Sequence, residues 1–196
     1  MTKEIIDSPG GFFQHYPRVA VVITAKSGAK ENAMTVCWHM PMSKKPPLIA
    51  FVTGTRHFTY KLIKESGEFA VNLLPDTHAE LVAAIGGTKG ESCDKFATFA
   101  IKKGKSAVTS APVLADAYVS FECKVIEEKL YNEQSMVIGE VVATHMREEC
   151  FSKDRDTIDI QKVKPVLYLG NEQYLDIESP KVRILKREEC AEDLKI

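Results

Sequence analysis

Leu48-Ile49-Ala50-Phe51-Val52-Thr53-Gly54-Thr55-Arg56-His57-Phe58-Thr59 reads as a buried strand, a short polar turn and the start of a helix. Leu48 to Thr53 is apolar or β-branched behind the break at Pro46-Pro47, and Gly54-Thr55 ends the run. From Phe58 the period changes. Apolar residues at 58, 62 and 63 predict a helix to Ser66, with Gly67 placed to terminate it. Glu68-Phe69-Ala70-Val71-Asn72-Leu73-Leu74 returns as strand, which completes the one strand–helix–strand unit in the chain.

Outward from that unit the pattern is strand after strand. Pro17 opens the run Val19-Ala20-Val21-Val22-Ile23-Thr24, which closes at Ser27-Gly28. A second strand is expected from Asn32 to Met40, joined through a Gly28-Ala29-Lys30-Glu31 hairpin turn. Thr77-His78-Ala79-Glu80 has capping-box spacing before a helical stripe of Leu81, Val82, Ala84 and Ile85 that ends at Gly86-Gly87. Cys93 to Ala97 suits one helical turn. Val119, Phe121, Cys123 and Val125 alternate within a long strand from Ala117 to Leu130, and another runs from Met136 to His145. Residues 147–164 are charged and irregular, and Pro165 to Gly170 is a last strand. Six or seven strands with two short helices predict a mainly β fold, an antiparallel barrel decorated by helices. No Gly-x-Gly-x-x-Gly follows a strand, so a Rossmann domain is not indicated. One domain over residues 1–177 is expected, followed by a charged C-terminal tail over residues 178–196.

A chain of 196 residues can bury a core without disulfides. Its net charge of -1 leaves no basic footprint for nucleic acid or an anionic membrane surface. No apolar run approaches the ~20 residues of a membrane helix, and the N-terminus lacks a signal-peptide core. A cytoplasmic protein is expected. Five cysteines without a Cys-x-x-Cys pair and five histidines without ligand spacing argue against a disulfide framework or a metal site.

The turn at Thr53–Thr59 carries the chemistry. Backbone N–H groups at a helix start attract anions, and Thr53, Thr55, Arg56, His57 and Thr59 surround that start. Arg56 is either a solvated charge or the partner of an anion, since the helix dipole disfavours a cation there. Asn32-Ala33-Met34-Thr35-Val36-Cys37-Trp38 offers amide donors and the single tryptophan. Asn32 is a turn residue or a ligand contact, and Trp38 is a core side chain or a wall of the site. A phosphate cradle beside a flat aromatic suits a flavin mononucleotide.

Taken in order, several segments resemble the flavin reductase-like, FMN-binding split-barrel family, which includes flavoredoxin and ferric reductase. They are Pro17–Val22, Asn32–Trp38, Pro46–Phe51, Arg56–Thr59, Gly67–Asn72, Asp94–Ala97, Ala111–Leu114, Phe121–Val125, Ile138–Val141 and Pro165–Gly170. The resemblance implies a six-stranded split barrel that dimerises, with FMN near the subunit interface and NAD(P)H or a protein as electron donor. The acceptor would be a small molecule or a protein. It implies that Asn32, Ala33, Met34 and Thr35 contact the isoalloxazine edge, with Trp38 beside the ring. Thr53, Arg56, His57 and Thr59 match the phosphate turn, and Asp94 and Lys95 match a loop reaching the pyrimidine side. Asp94 either orients Lys95 or caps the next turn. Lys95 is either a charge at the flavin N1–O2 edge or a solvent-facing lysine. One segment departs from the family. Nicotinamide-using members often carry Gly-Asp-His before the Gly-Glu-Val strand, where this chain has Asn132-Glu133-Gln134-Ser135-Met136. Gln134 carries neither charge nor titratable proton, which favours a flavoredoxin-like electron carrier.

Overall fold

The computed structural model describes residues 3–7, 10, 13–154 and 157–178. Of the expected charged tail, everything after Glu178 lies outside the described residues. Among the described residues ten strands form two antiparallel sheets. The larger contains β2 (Val21–Ser27), β3 (Lys30–Val36), β4 (His39–Lys44), β5 (Pro47–Gly54), β6 (Glu68–Leu73), β7 (Val119–Tyr131) and β8 (Gln134–Met146). Their spatial order is β3-β2-β6-β7-β8-β5-β4. The smaller sheet places β9 (Leu167–Gly170) between β1 (Arg18–Val19) and β10 (Gln173–Leu175). The mainly β, antiparallel architecture expected from the sequence is the one that forms.

Curling of the large sheet closes it around one core. Ile23, Met34, Phe51, Phe69, Val71, Cys123 and Val137, contributed by six strands, pack together. Strands β3 and β5 are not neighbours in the sheet, yet the Thr53 hydroxyl lies 3.5 Å from Met34 Sδ. Helix α1 (Phe58–Ser66) packs Tyr60, Leu62 and Ile63 against this core, and Gly67 ends it with φ 69° and its N–H on Ile63 O at 2.8 Å. The Glu128 carboxylate then ties α1 to the β7–β8 hairpin by accepting from Tyr60, Lys64 and Ser135. A second core lies beneath α2 (Ala79–Gly87) and α3 (Lys95–Thr98), where Val82, Ile85, Phe96 and Leu114 meet Ala20 and Val22.

Several local expectations are corrected. Residues 32–40 do not form one strand: β3 ends at Val36 and a separate edge strand begins at His39. That edge strand and β10 had no alternating pattern to announce them. The first hairpin is tighter than expected, since Ser27 pairs with Lys30 and leaves a turn of Gly28 and Ala29. Gly28 has φ 56°, which a side chain would resist. No capping box forms at Thr77. Its hydroxyl pairs with His78 Nδ1 at 3.2 Å, and a 3-10 turn, Asp76–His78, leads into α2 instead.

A buried carboxylate fastens the loop that crosses the sheet. Glu122, 0% exposed in the middle of β7, accepts from the N–H groups of Ala107 (2.6 Å), Val108 (2.9 Å) and Thr109 (2.6 Å). The Thr109 hydroxyl and His145 Nε2 complete the set. Each partner is a donor, so only an ionised carboxyl satisfies them all.

Candidate functional site

Between the open end of β3, the start of α1 and the end of α2 runs a cleft with two chambers. One, about 510 Å³, is bounded by Asn32, Met34, Arg56, Thr59, Lys95 and the Thr88–Glu91 loop. The other, about 620 Å³, is bounded by Tyr16, Cys37, Trp38, Gln134, Tyr168 and Tyr174. Thr35, His57, Gly86 and Gly87 border both, so they form the waist. A Cβ on Gly86 would lie 3.3 Å from Thr35 Cβ, and one on Gly87 would project into open space. These two glycines keep the waist wide.

The smaller chamber has the chemistry of an anion site. It opens on the N-terminus of α1, where His57 occupies the cap position without a capping side-chain hydrogen bond. The helix's first N–H groups therefore lack an intrahelical partner. Asn32, 2% exposed, donates from Nδ2 to Thr59 Oγ1 at 2.9 Å, while its Oδ1 is buried with no partner. A buried unpartnered amide oxygen is costly unless a ligand group supplies a donor. Thr53 Oγ1 sits 2.8 Å from His57 Nδ1. The same hydroxyl also contacts the Met34 thioether, so Thr53 ties the His57 ring to β3.

The other candidate residues of the turn and of β3 are engaged with protein partners. The Arg56 side chain is 85% exposed and paired with Glu133 at 2.9 Å. Thr55 Oγ1 donates to Glu133 O at 3.3 Å rather than toward the chamber. The Thr35 hydroxyl donates to Val82 O, which fixes β3 against α2. Ala33 is wholly buried, and its carbonyl accepts from Lys95 Nζ at 2.8 Å.

Asp94 caps α3, its carboxylate accepting from Ala97 N at 3.1 Å. Lys95 is not a solvent-facing charge. It is 3% exposed, and its ammonium also donates to Ile85 O at 2.7 Å. Burial lowers its pKa to about 8. Lys95 borders the chamber of the α1 N-terminus, not the one that contains Trp38. The Lys95→Met substitution leaves two buried carbonyls without a donor. We expect it to destabilise the cofactor-free protein by about 2–4 kcal/mol, read from urea unfolding midpoints; an unchanged midpoint would show that the two bonds contribute nothing.

Trp38 is a wall residue rather than core, at 42% exposed. Its indole N–H donates to Tyr16 OH at 2.9 Å. Tyr16, Tyr168 and Tyr174 make edge or tilted ring contacts at 5.9 and 5.1 Å. This aromatic wall escaped the sequence reading because its members lie up to 158 positions apart and only the small β1-β9-β10 sheet gathers them. The Gly86-Gly87 pair was visible in the sequence, but as a helix stop.

Among the described residues there is no cluster of His, Cys, Asp or Glu suited to a metal ion, and no helix long and apolar enough to cross a membrane.

Comparison with known proteins fits this geometry. An uncharacterized protein from Aeropyrum pernix is 26% identical over 156 residues, which cover 79% of this chain and 58% of that protein. The FMN reductase (NADH) RutF of Agrobacterium fabrum is 32% identical over 114 residues, 55% of this chain and 60% of its own. The chain thus spans less than two thirds of the length of both relatives. The X-ray structure of flavoredoxin from Methanosarcina acetivorans superimposes with a TM-score of 0.84 at 22% identity, covering 97% of this chain and all of that one. Its likeness puts the curled sheet among the split-barrel folds. The model of the flavin reductase like domain matches residues 13–176, from the first short helix to just past β10. With the body of the fold matched from end to end rather than at one motif, the chain belongs to the flavin reductase like domain family.

Proposed function

We propose that the chain is an FMN-binding oxidoreductase of the flavin reductase or flavoredoxin type. It passes electrons from a reduced donor through bound FMN to a flavin, a ferric chelate or another acceptor. The observation that carries this reading is the anion chamber, where the start of α1, Asn32 and Lys95 border one cavity that continues past His57 to the Trp38 wall. Bound FMN would supply reversible two-electron chemistry. The residues present fit it. The α1 N–H groups and Thr59 would hold its phosphate, with the His57 ring beside them. Arg56 would leave Glu133 to neutralise the dianion, and Lys95 would add a fixed positive charge behind β3. Asn32, Met34, Thr35 and Trp38 would border the ring.

FMN is favoured over FAD because the chamber at the α1 start suits one terminal phosphate and the sequence has no second, Gly-rich phosphate loop. Titrating the cofactor-free protein with each flavin, with mass spectrometry of the retained cofactor, tests the reading. Stoichiometric FAD, or no flavin at saturation, would overturn it. Because Arg56 must give up an exposed ion pair, Arg56→Ala should weaken FMN by only about 1 kcal/mol and reduce its salt dependence. A loss that persists at high salt would mean that Arg56 acts through packing instead.

A second reading, an FMN-holding electron carrier that works with protein partners and has no NAD(P)H site of its own, is favoured by Gln134. This residue borders the larger chamber at the start of β8, where the resemblance leads one to expect a histidine. Anaerobic addition of NADH and NADPH to the loaded protein separates the two readings: bleaching of the flavin within seconds supports the reductase, and its absence the carrier. A homodimer is part of the proposal, supported by Trp38, Met40 and Met42 standing exposed at and beside the edge strand β4. Light scattering of the loaded protein checks it. A cytoplasmic site of action is proposed from the free thiols of Cys37, Cys93, Cys123 and Cys150.

A further inference from the structure

The larger chamber has a feature that flavin binding does not use. Trp38 Nε1 has a proton and no acceptor lone pair, so in its 2.9 Å contact with Tyr16 the phenol oxygen is the acceptor. The Tyr16 hydroxyl proton is thereby turned away from the indole, and among the described residues no acceptor takes it. Burial raises the Tyr16 pKa, so the phenol keeps its proton at neutral pH. Trp38, Tyr168, Tyr174, Val52 and Cys37 give this chamber flat or apolar walls, and Gln134 and Glu172 add polar groups to its lining. Among the described residues no lysine or arginine borders the chamber, whereas Glu172 does, which disfavours an anion there. Its volume of about 620 Å³ exceeds that of the anion chamber, which gives a flavin ring and a second planar molecule room to share it.

We propose that Tyr16 and Trp38 form a binding site for a flat, uncharged, conjugated carbonyl compound of the quinone class. Tyr16 donates its hydroxyl proton to the carbonyl oxygen, and Trp38 holds Tyr16 in the donating orientation. The compound is the electron acceptor of the activity proposed above, and that role rests on that reading; the binding site itself does not. The transfer balances as dihydroflavin plus quinone giving oxidised flavin plus hydroquinone, two electrons and two protons passing together. Tyr16 remains protonated throughout and serves to polarise the carbonyl.

Tetramethyl-1,4-benzoquinone is the probe, because full substitution protects it from addition by the cysteine thiols. Its binding is read by equilibrium dialysis and by quenching of Trp38, the single tryptophan of the chain, in both the cofactor-free and the FMN-loaded protein. The hydrocarbon 1,2,4,5-tetramethylbenzene, which has the same shape without carbonyls, is the control. Saturable quinone binding is expected in both forms, together with quenching. Tyr16→Phe should weaken the quinone roughly tenfold and leave the hydrocarbon unchanged. Trp38→Phe keeps the Tyr16 hydroxyl but removes the group that orients it. By dialysis it should lose less for the quinone, about two- to fivefold, and nothing for the hydrocarbon. Equal quinone affinity in wild type and Tyr16→Phe, or an equal loss for the hydrocarbon, overturns the proposal. So does quinone binding that FMN abolishes, since the chamber then holds one ring only. A protein that takes the quinone but no FMN keeps this site and refutes the flavin reading instead.

Discussion

Glu122→Gln is expected to cost about 3 kcal/mol of stability at pH 7, a fall of about 6–12 °C in Tm for a chain of this size. The substitution keeps shape and volume, so the loss isolates the charge. An amide offers one acceptor oxygen and presents an NH2 group to a surrounding made only of donors: the Ala107, Val108 and Thr109 N–H groups, the Thr109 hydroxyl and His145. At least one N–H is left buried and unpaired. The same contacts predict an acid limb. Burial pushes the Glu122 carboxyl up, but the Ala107 and Thr109 N–H groups, then His145 and Val108, outweigh it and hold the pKa at about 2, against 4.5 for an ordinary glutamate. Because the folded value is the lower one, the contribution is complete above about pH 4.5 and disappears as pH falls toward 2. Thermal unfolding of both proteins from pH 7 to 2 should show midpoints that converge as the acid limb is descended. Equal midpoints at pH 7 would mean that the 106–110 loop does not depend on the charge.

Gly90→Ala is expected to weaken FMN at least tenfold while leaving global stability nearly intact. A Cβ on Gly90 would lie 2.1 Å from Asn32 Nδ2 and 2.6 Å from its Oδ1, far inside contact distance. Asn32 cannot step aside, since it is buried between β3 and α1 and hydrogen-bonded to Thr59. The Thr88–Glu91 loop must therefore lift, against its Lys61–Glu91 ion pair. In a core, overpacking of this kind costs roughly 1–3 kcal/mol, most of which a surface loop relieves by lifting. Because the loop is on the surface, that cost falls on the shape of the anion chamber rather than on the core. Flavin titration alongside urea unfolding separates the two effects. Full FMN affinity in the variant would detach the loop from the cofactor site.

Much of the scaffold was written in local sequence. The change from an apolar run at Leu48–Thr53 to helical spacing at Phe58–Ile63, with Gly67 behind it, located β5, α1 and β6 because periodicity and a left-handed cap act within a few residues. Alternation did the same for β7. It gave no warning of β4 and β10, short strands whose residues are largely exposed on both faces and take their structure from the neighbour they pair with.

What the sequence by itself determined was the mainly β class, the helix start at Thr53–Thr59 and the place of Asn32 on a nearby strand. The tertiary structure decided how those residues are used. Only the packing of α2 and α3 against β3 turned Lys95 from a candidate surface charge into a buried clamp on Ala33 and Ile85. Only the fold brings Gly90 against the Asn32 amide, whose Oδ1 is buried without a partner. The aromatic wall exists because β9 and β10 bring Tyr168 and Tyr174 to Tyr16 and Trp38 across most of the chain. Secondary structure is set by neighbours a few residues apart, whereas hydrogen-bond partners and cavity walls are set by chain closure over long separations, which no local pattern encodes.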